Sequence, residues 1–263
     1  MNFPRSTYYK ALISVPSKRE LEANELKKEI KKIWLDSKSR YGAPKIRMIL
    51  SKQGKNVSIK RVQRYMTELQ IRSIVVKKFR YHSEKVTSEA KENILKRDFT
   101  TTTINQKWCT DITYIYTIKN GWTYLASVMD LHSKKIIGYA YDLSMSTDLV
   151  IKSVENACLN VKNTHGIILH SDLGTQYTSH LFESFLSSKG IVHSFSRKGN
   201  PYDNACIESF HSVLKKEEVN HKKYYDFRTA RRAIFEYIES WYNRKRIHSS
   251  INYLTPQAAH DAA

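Results

Sequence analysis

The sequence predicts an α/β domain, with a mixed sheet between helices, behind an all-α region. In the front of the chain, apolar residues recur at helical spacing. After residue 107, three segments rich in Tyr, Ile, Val and Thr are separated by turns, and short apolar and helical segments then alternate. These patterns divide the chain into a front region, a basic linker or arm and an α/β core, which span 1–72, 73–104 and 105–263.

Positive charge is concentrated in the front of the chain. The protein has 263 residues, with 44 Lys and Arg against 25 Asp and Glu, and a formal net charge of +19. Residues 1–100 carry 25 basic and 10 acidic side chains, whereas residues 101–263 carry 19 and 15. The asymmetry predicts that the front binds a polyanion, and nucleic acid fits better than an anionic membrane. Charge that only aids solubility is the alternative.

Composition excludes several classes of protein. Hydrophobic residues make up 41% of the chain, which supports a packed core and excludes wholesale disorder. No apolar run approaches the roughly 20 residues that span a bilayer, so an integral membrane protein is not expected. The three cysteines are far apart, which argues against a disulfide framework or a zinc knuckle and fits a reducing cytoplasm.

The front region is predicted to fold as three helices, which span 17–38, about 44–53 and about 59–70. Ser17 begins a capping box, Pro44 suits a first helical turn, and Ser58 can cap the third helix. Such an arrangement is typical of a helix-turn-helix unit whose third helix enters the major groove of DNA. A generic helical hairpin with solvated lysines is the alternative interpretation.

Basic residues mark two DNA-contact surfaces in this part of the chain. On the third helix they lie opposite the apolar face, and in the arm they stand beside Phe79 and Tyr81, a pattern suited to following a nucleic-acid backbone. The predicted DNA contacts are Lys60, Arg61 and Arg64 on the helix and Lys77, Lys78 and Arg80 in the arm.

The core is predicted to contain five strands and four helices. The strands span 107–117, 121–130, 134–142, 166–170 and 191–196, and the helices about 147–162, 179–188, 201–218 and 226–243. The first three strands form an antiparallel meander, because turns separate them directly. Trp108, Trp122 and Trp241 are predicted to be buried core aromatics.

Three acids stand out by their surroundings. Asp111 lies inside the first strand, Asp172 directly follows a buried strand, and Glu208 lies on a helix; 60 and 35 residues separate them. An acid within a core strand needs a partner, and groups at the ends of strands often form active sites. Oxygen ligands favour Mg²⁺ or Mn²⁺, and two such ions would clamp an in-line phosphoryl displacement. We therefore expect the three carboxylates to converge on a metal site.

Other polar residues are predicted to contact DNA near these acids. Helical spacing places Ser212 and Lys215 on the face that carries Glu208, where Lys215 would hold a DNA phosphate. His211 is a further predicted DNA contact. Past the last long helix, a basic cluster binds phosphate or forms a solvated helix end, and both interpretations stay open. Its predicted DNA contacts are Arg244, Arg246 and His248.

Four segments together resemble one known family. WCTDITYI, HSDLGTQYTS, GNPYDNACIESFHSVLKKE and WYNRKRIHSSINYLTPQAA are similar to the orfB-type transposases of the bacterial IS3 insertion-sequence family. The upstream block YGAPKIRMILSKQGKNVSIKRVQRYMTEL resembles the helix-turn-helix segment that precedes their core. The resemblance implies an RNase H-like catalytic core, similar to retroviral integrases, with a mixed five-stranded sheet and helices on both faces. An all-α helix-turn-helix domain would precede this core.

The resemblance also implies a reaction and partners. Asp111, Asp172 and Glu208 would form a catalytic triad with Mg²⁺, for which Mn²⁺ can substitute, and would cleave a strand and transfer its 3′-OH to new DNA. The implied partners are the terminal repeats of the element, target DNA, further copies of the chain, and an upstream-frame product or frameshift fusion. The implied location is the bacterial cytoplasm, with association to the nucleoid when DNA is bound.

Two other functions stay open at this point. One is a non-catalytic DNA-binding regulator of transposition, and the other is an RNase H-like nuclease without strand transfer. The basic front fits all three functions. Three acids in the nearly neutral core favour an enzyme over a pure DNA binder, because carboxylates near phosphates would only weaken binding.

Overall fold

A computed structural model of the protein describes residues 15–75, 93–95, 98–196 and 204–263, together with Arg5 and Tyr9. The chain divides into two compact units, Met1–Lys77 and Lys78–Ala263. The boundaries predicted at residues 72 and 104 stay predictions. Of the predicted arm, Lys77, Lys78 and Arg80 lie outside the described residues. No helix in the described ranges is both long and apolar enough to span a bilayer.

The first unit contains the three predicted helices, α1 (Lys18–Asp36), α2 (Ala43–Lys52) and α3 (Ile59–Glu68). Ser17 and Ser58 cap α1 and α3 through their side-chain oxygens, as predicted. Apolar residues one turn apart on the three helices form a core, in which Ile30, Ile46 and Val62 are completely buried. The prediction of a small three-helix unit is confirmed.

The second unit is built on a five-stranded mixed sheet, as predicted. Its strands are β1 (Lys107–Thr117), β2 (Gly121–Asp130), β3 (Ile136–Asp142), β4 (Ile168–Ser171) and β5 (Val192–Phe195). Their spatial order is β3-β2-β1-β4-β5. β1, β2 and β3 pair antiparallel, whereas β4 is parallel to both β1 and β5. The pairing therefore changes from antiparallel to parallel at β1, and the adjacent parallel strands β1 and β4 carry Asp111 and lead to Asp172, respectively.

Helices and short turns surround the sheet. They are α4 (Thr147–Cys158), α5 (His180–Ser188), α6 (Ala205–Glu217), a 3-10 turn (Val219–His221), α7 (Phe227–Phe235), a π-helix (Glu236–Asn243), a 3-10 turn (Ser249–Ile251) and α8 (Pro256–Asp261). On one face, α4 and α5 enclose a core that includes Trp108, Val128 and Leu169. Successive strand residues alternate in direction, so Asp111 and Ser127 point to the opposite face, where α6 packs.

Edge strand β3 meets α4 unusually closely. A Cβ atom added to Gly138 would lie 2.4 Å from the Ala157 nitrogen and 2.4 Å from the Ser153 carbonyl oxygen. Both neighbours are backbone atoms of α4, so side-chain rotation cannot make room. Gly138 therefore sets the distance between the helix and the sheet.

Two predictions about the core need correction. Trp122 is 59% exposed, because β2 extends beyond the helices that cover the sheet. The predicted helix 201–218 is described from Ala205, and residues 197–203 lie outside the description. The predicted helix 226–243 ends as a π-helix, in which Tyr237, Trp241 and Asn243 are buried and hydrogen-bonded to distant parts of the unit.

Candidate active site

The three predicted acids come from three neighbouring elements of the second unit. Asp111 lies in the middle of β1, Asp172 directly follows β4, and Glu208 lies in the first turn of α6. β1 and β4 are adjacent parallel strands that pair at Cys109 and His170, and α6 packs against β1. Residues that are 61 and 36 positions apart in sequence are thus brought to one region.

Asp111 is held by a chain of hydrogen bonds. Its Oδ1 accepts from the Ile112 backbone N–H at 2.8 Å, and its Oδ2 lies 3.2 Å from His211 Nδ1. The other imidazole nitrogen, Nε2, lies 3.4 Å from Ser127 Oγ. When the imidazole is neutral, the Ser127 hydroxyl donates to Nε2 and His211 Nδ1–H donates to Asp111. His211 therefore supports the first acid.

The predicted DNA contact of His211 stays a prediction, and in this structure its imidazole faces Asp111 and Ser127. His211 is only 5% exposed, and Ser127, directly opposite Asp111 in the β1–β2 register, is fully buried. One signal for this support is visible in the sequence, because Ser127 interrupts an otherwise apolar run in β2. Its cross-strand position beside Asp111 depends on the hairpin register, which the turn at 119–121 fixes.

Asp172 occupies a tight turn after β4. Its Oδ1 accepts from the Gly174 backbone N–H at 2.9 Å. Partial burial raises the pKa of the Asp172 carboxyl, and the negative charge of Asp111 adds to this, although the Gly174 hydrogen bond opposes both. Asp172 therefore lies within electrostatic reach of the first acid.

The pKa of the Glu208 carboxyl is raised for similar reasons. Partial burial contributes most, followed by the charges of Asp111 and Asp172. The three carboxylates thus repel one another, and a divalent cation would relieve this repulsion. An all-carboxylate donor set fits Mg²⁺ or Mn²⁺ by its chemistry. Nevertheless, no group of three His, Cys, Asp or Glu side chains within the described ranges is arranged to hold a metal ion, so the expected convergence is incomplete.

An open groove of about 550 Å³ adjoins two of the acids. Asp111 and Glu208 line it together with Ser212 and Lys215, and Tyr114 lies at the same groove. The expected alignment of Glu208, Ser212 and Lys215 on one helix face agrees with this lining. The groove therefore combines carboxylates with an ammonium group that can hold a phosphate.

Buried hydrogen bonds attach the neighbouring elements to β1. Asn204 Nδ2 donates to the Thr110 carbonyl oxygen at 3.2 Å, and Tyr177 OH lies 3.1 Å from Thr110 Oγ1. Asn204 occupies the N-cap position of α6, but its side chain makes no capping hydrogen bond. These contacts position α6 and the turn after Asp172 beside Asp111, a tertiary role that the sequence pattern did not reveal.

Part of the predicted C-terminal DNA-binding cluster is buried instead. Arg246 is 7% exposed, and its Nε donates to the Glu217 carboxylate at 3.0 and 3.2 Å. His248 Nε2 lies 2.8 Å from an Arg246 nitrogen. The prediction that Arg246 binds DNA is therefore wrong, and His248 is half-buried beside it. Arg244 is exposed, and its DNA contact stays a prediction.

The basic residues of α3 are engaged within the first unit. Arg61 forms an ion pair with Glu22 at 3.1 Å and donates to Tyr65 OH at 3.1 Å. Arg64 lies 5.2 Å from the centre of the Tyr65 ring. DNA binding through α3 would have to exchange these contacts for phosphates or bases. The predicted DNA contacts at Lys60, Arg61 and Arg64 stay predictions.

Family models define the class of protein to which this fold and site belong. Residues 102–201 and 189–256 match models described as integrase core domain, and residues 21–79 match an HTH-like domain. An integrase core preceded by a helix-turn-helix domain is typical of DNA-cutting enzymes that bind DNA. The predicted RNase H-like core and helix-turn-helix front are thereby confirmed.

Curated relatives identify the family. The transposase for element IS904 of Lactococcus lactis is 37% identical over 92% of this chain and 96% of its own length. The transposase InsF for IS3A of Escherichia coli is 37% identical over 84% of this chain and 77% of its own length. The catalytic core domain of HTLV-2 integrase, solved with magnesium, has a TM-score of 0.47, 16% identity, and coverage of 61% of this chain and 99% of its own. The chain belongs to the insertion-sequence transposases of the IS3 family, and its function is DNA transposition.

Proposed function

We propose that Asp111, Asp172 and Glu208 are the catalytic carboxylates with which this transposase cleaves a DNA strand and joins the exposed 3′-OH to new DNA. The observation that carries this proposal is that Asp111 and Glu208 line one groove, while Asp172 directly follows the strand β4 that pairs with β1. Asp111 raises the pKa of both other carboxyls, although the three come from β1, the end of β4 and α6. Acids that repel one another at a groove are typical of a functional site.

The proposed cofactor is Mg²⁺, with Mn²⁺ as a substitute and two ions per active site. The carboxylates of Asp111, Asp172 and Glu208 would hold them. Bound Mg²⁺ supplies charge stabilisation at the phosphoryl group and lowers the pKa of the attacking water or hydroxyl. Two ions are proposed because an in-line displacement has both an attacking and a leaving oxygen.

The chain's own residues have separate tasks in this proposal. His211 fixes the orientation of the Asp111 carboxylate through its Nδ1–H, and Ser127 fixes the imidazole tautomer. Lys215 lines the groove beside Glu208 and binds a DNA phosphate near the reacting centre. Asn204 keeps the start of α6 against β1, which maintains the spacing of the first and third acids.

The proposed DNA partners are the terminal repeats of the element and the target DNA. The net charge of +15 over residues 1–100 supports DNA binding by the front of the chain. Joining two element ends requires more than one protomer in the usual arrangement, so we propose a homo-oligomer on DNA, with an upstream-frame product or frameshift fusion as a further partner. A bacterial cytoplasmic location is also part of the proposal.

Incubation with a labelled element end and Mg²⁺ tests the catalytic proposal. Asp111→Asn, Asp172→Asn and Glu208→Gln should each abolish nicking while DNA binding in a mobility-shift assay is retained. Glu155→Gln is a matched control, because this acid is in a surface pair with Lys152 on α4. Retained nicking in any of the three variants would remove that acid from the triad. Joined products distinguish strand transfer from hydrolysis alone.

A further inference from the structure

Exposed aromatic side chains cover the end of the β1–β2 hairpin. β1 contributes the exposed Tyr114 and Tyr116, and β2 contributes the exposed Trp122 and the half-buried Tyr124; these four form what we call the aromatic ladder. The register places Tyr114 opposite Tyr124 and Tyr116 opposite Trp122. The paired ring centroids lie 5.7 and 5.3 Å apart and meet edge to face. The four rings thus form one continuous surface.

The exposure of the aromatic ladder exceeds what hairpin stability requires. Trp122 is 59% exposed, Tyr116 56% and Tyr114 48%. Cross-strand aromatic pairs stabilise hairpins through contact with each other, and that contact does not require their outer ring faces to be exposed. Ile112, two residues before Tyr114 on the same face of β1, packs against the core. An exposed apolar patch that begins where the core ends is typical of an interaction surface.

The aromatic ladder lies on the face of β1 opposite to Asp111, and Tyr114 connects it to the candidate active site. Tyr114 lines the same groove as Asp111, Glu208 and Lys215. An extended strand rises about 3.4 Å per residue, so the backbone of Tyr116 lies about 17 Å along β1 from that of Asp111. A DNA strand whose phosphate lies beside these acids would therefore reach the aromatic ladder within a few nucleotides.

Basic side chains flank the aromatic ladder. Lys119 lies in the hairpin turn, and its backbone N–H donates to the Tyr225 carbonyl oxygen at 2.8 Å. This bond joins the turn to the segment before α7, where Lys223 and Arg228 are exposed. The acid of that segment, Asp226, caps α7 by accepting from the Thr229 N–H. Positive charge beside exposed aromatic rings matches the chemistry of a nucleic-acid strand, which alternates phosphates with apolar base faces.

We propose that the aromatic ladder stacks with unpaired bases of the DNA strand that enters the active groove, while Lys119, Lys223 and Arg228 hold its phosphates. Base faces are available to protein rings only where bases have left the duplex, so the ligand is a frayed or single-stranded segment next to the cleaved phosphate. This inference rests on the proposed function, because cleavage in the groove is what places a strand there.

Fluorescence anisotropy with two labelled probes tests the aromatic ladder. The probes are a 12-nucleotide oligothymidine strand and a fully paired 30-base-pair duplex. Trp122→Leu removes a ring but keeps an apolar side chain, and should weaken binding of the single strand about five- to 100-fold while duplex binding changes less than about twofold. Its salt dependence should be unchanged, because stacking releases no counterions. Lys119→Ala with Lys223→Ala should instead reduce the salt slope.

Matched variants separate stacking from a general effect. Trp122→Phe keeps a ring and should retain single-strand affinity within about threefold. The quenching of tryptophan fluorescence that stacking on Trp122 causes should disappear in this variant. Phe235→Leu removes an aromatic side chain of similar exposure, 57%, on α7 outside the aromatic ladder, and should bind as the unmodified protein does. Thermal melting verifies that each variant is folded.

Two results would overturn the inference. One is equal single-strand affinity for Trp122→Leu and the unmodified protein. The other is a change of oligomeric state of Trp122→Leu in sedimentation without DNA, which would assign the surface to a second copy of the chain. Neither result depends on the triad, because binding is measured without Mg²⁺. Conversely, nicking by Asp111→Asn would contradict the catalytic proposal and leave the binding result unaffected.

Discussion

Helix α6 carries a glutamate near each end, and the two have opposite surroundings. Glu217, near the C-terminus, is 4% exposed and pairs with the Arg246 guanidinium. The Tyr237 hydroxyl and the Trp241 indole N–H also donate to it, each at 3.0 Å. Its charge is thus neutralised and its oxygens are satisfied inside the protein.

Glu208, nine residues earlier on the same helix, is exposed at the groove. The charges that raise its pKa are those of Asp111 and Asp172, so its neighbours repel rather than neutralise it. A structural acid is one whose partners are built into the fold, as at Glu217. An acid beside other acids lowers the stability of the fold. Such an arrangement is retained when the charge serves binding or catalysis.

The same substitution at the two ends of α6 should separate these roles most strongly. Glu208→Gln should lower the rate of strand cleavage by at least about 10³-fold, because it removes a metal-binding carboxylate. The fold should be retained, since the side chain is exposed. The measurement is nicking of a labelled element end, with circular dichroism to verify folding. Cleavage within tenfold of the unmodified protein would contradict the assignment.

Glu217→Gln should lower the stability of the fold and leave the rate of strand cleavage unchanged. It leaves the Arg246 charge buried without its partner, and should destabilise the protein by about 3–5 kcal/mol in denaturant unfolding. Cleavage per folded molecule, measured at a temperature where the variant is folded, should be unchanged. Glu208→Gln serves as the control, because the chemical change and the helix are the same. A loss of stability below about 1 kcal/mol would show that the buried pair is dispensable.

His211 should give an intermediate effect, because it acts through Asp111. His211→Leu is expected to lower the turnover rate about 10- to 100-fold without changing the KM for DNA. It should also weaken Mn²⁺ binding in calorimetry. His211→Asn can direct an amide N–H at Asp111 and should recover part of both losses. A merely structural role predicts instead a lower melting temperature with no difference between Leu and Asn in Mn²⁺ affinity.

The smallest expected effect concerns pH. The pKa values of Asp172 and Glu208 are raised by folding, so these two groups favour the folded state when protonated and lose that contribution as pH rises through the raised pKa values. In EDTA at neutral pH, Asp172→Asn with Glu208→Gln should therefore melt about 1–3 °C above the unmodified protein. At acidic pH the difference should vanish, and Mg²⁺ should stabilise only the unmodified protein.

Local patterns predicted the positions of most elements. Ser17 and Ser58 cap their helices as the sequence indicated, and the β1–β2 hairpin has the predicted limits. Each of these features depends on residues close in sequence. The three acids could be selected because each lies in an unusual place for a carboxylate, and the family resemblance then joined them into one site.

Features that depend on distant partners could not be predicted in the same way. Arg246 stands in sequence beside the exposed Arg244, yet its partner Glu217 lies 29 residues earlier. The side chain of Trp122 follows the alternation expected along β2. It is nevertheless exposed, because it lies beyond the helices that cover the sheet. His211 supports Asp111 only because α6 packs on that face of β1. In all three cases tertiary packing decides the role of the residue.

The close approach at Gly138 makes the edge of the sheet a site where a very small change has distant effects. A single added methyl group would have to push α4 outward as a rigid body, because it would meet backbone atoms rather than a movable side chain. Val150 and Val154, both fully buried, would be carried with the helix and leave gaps against the sheet. Even an alanine side chain at position 138 is therefore too large for this packing.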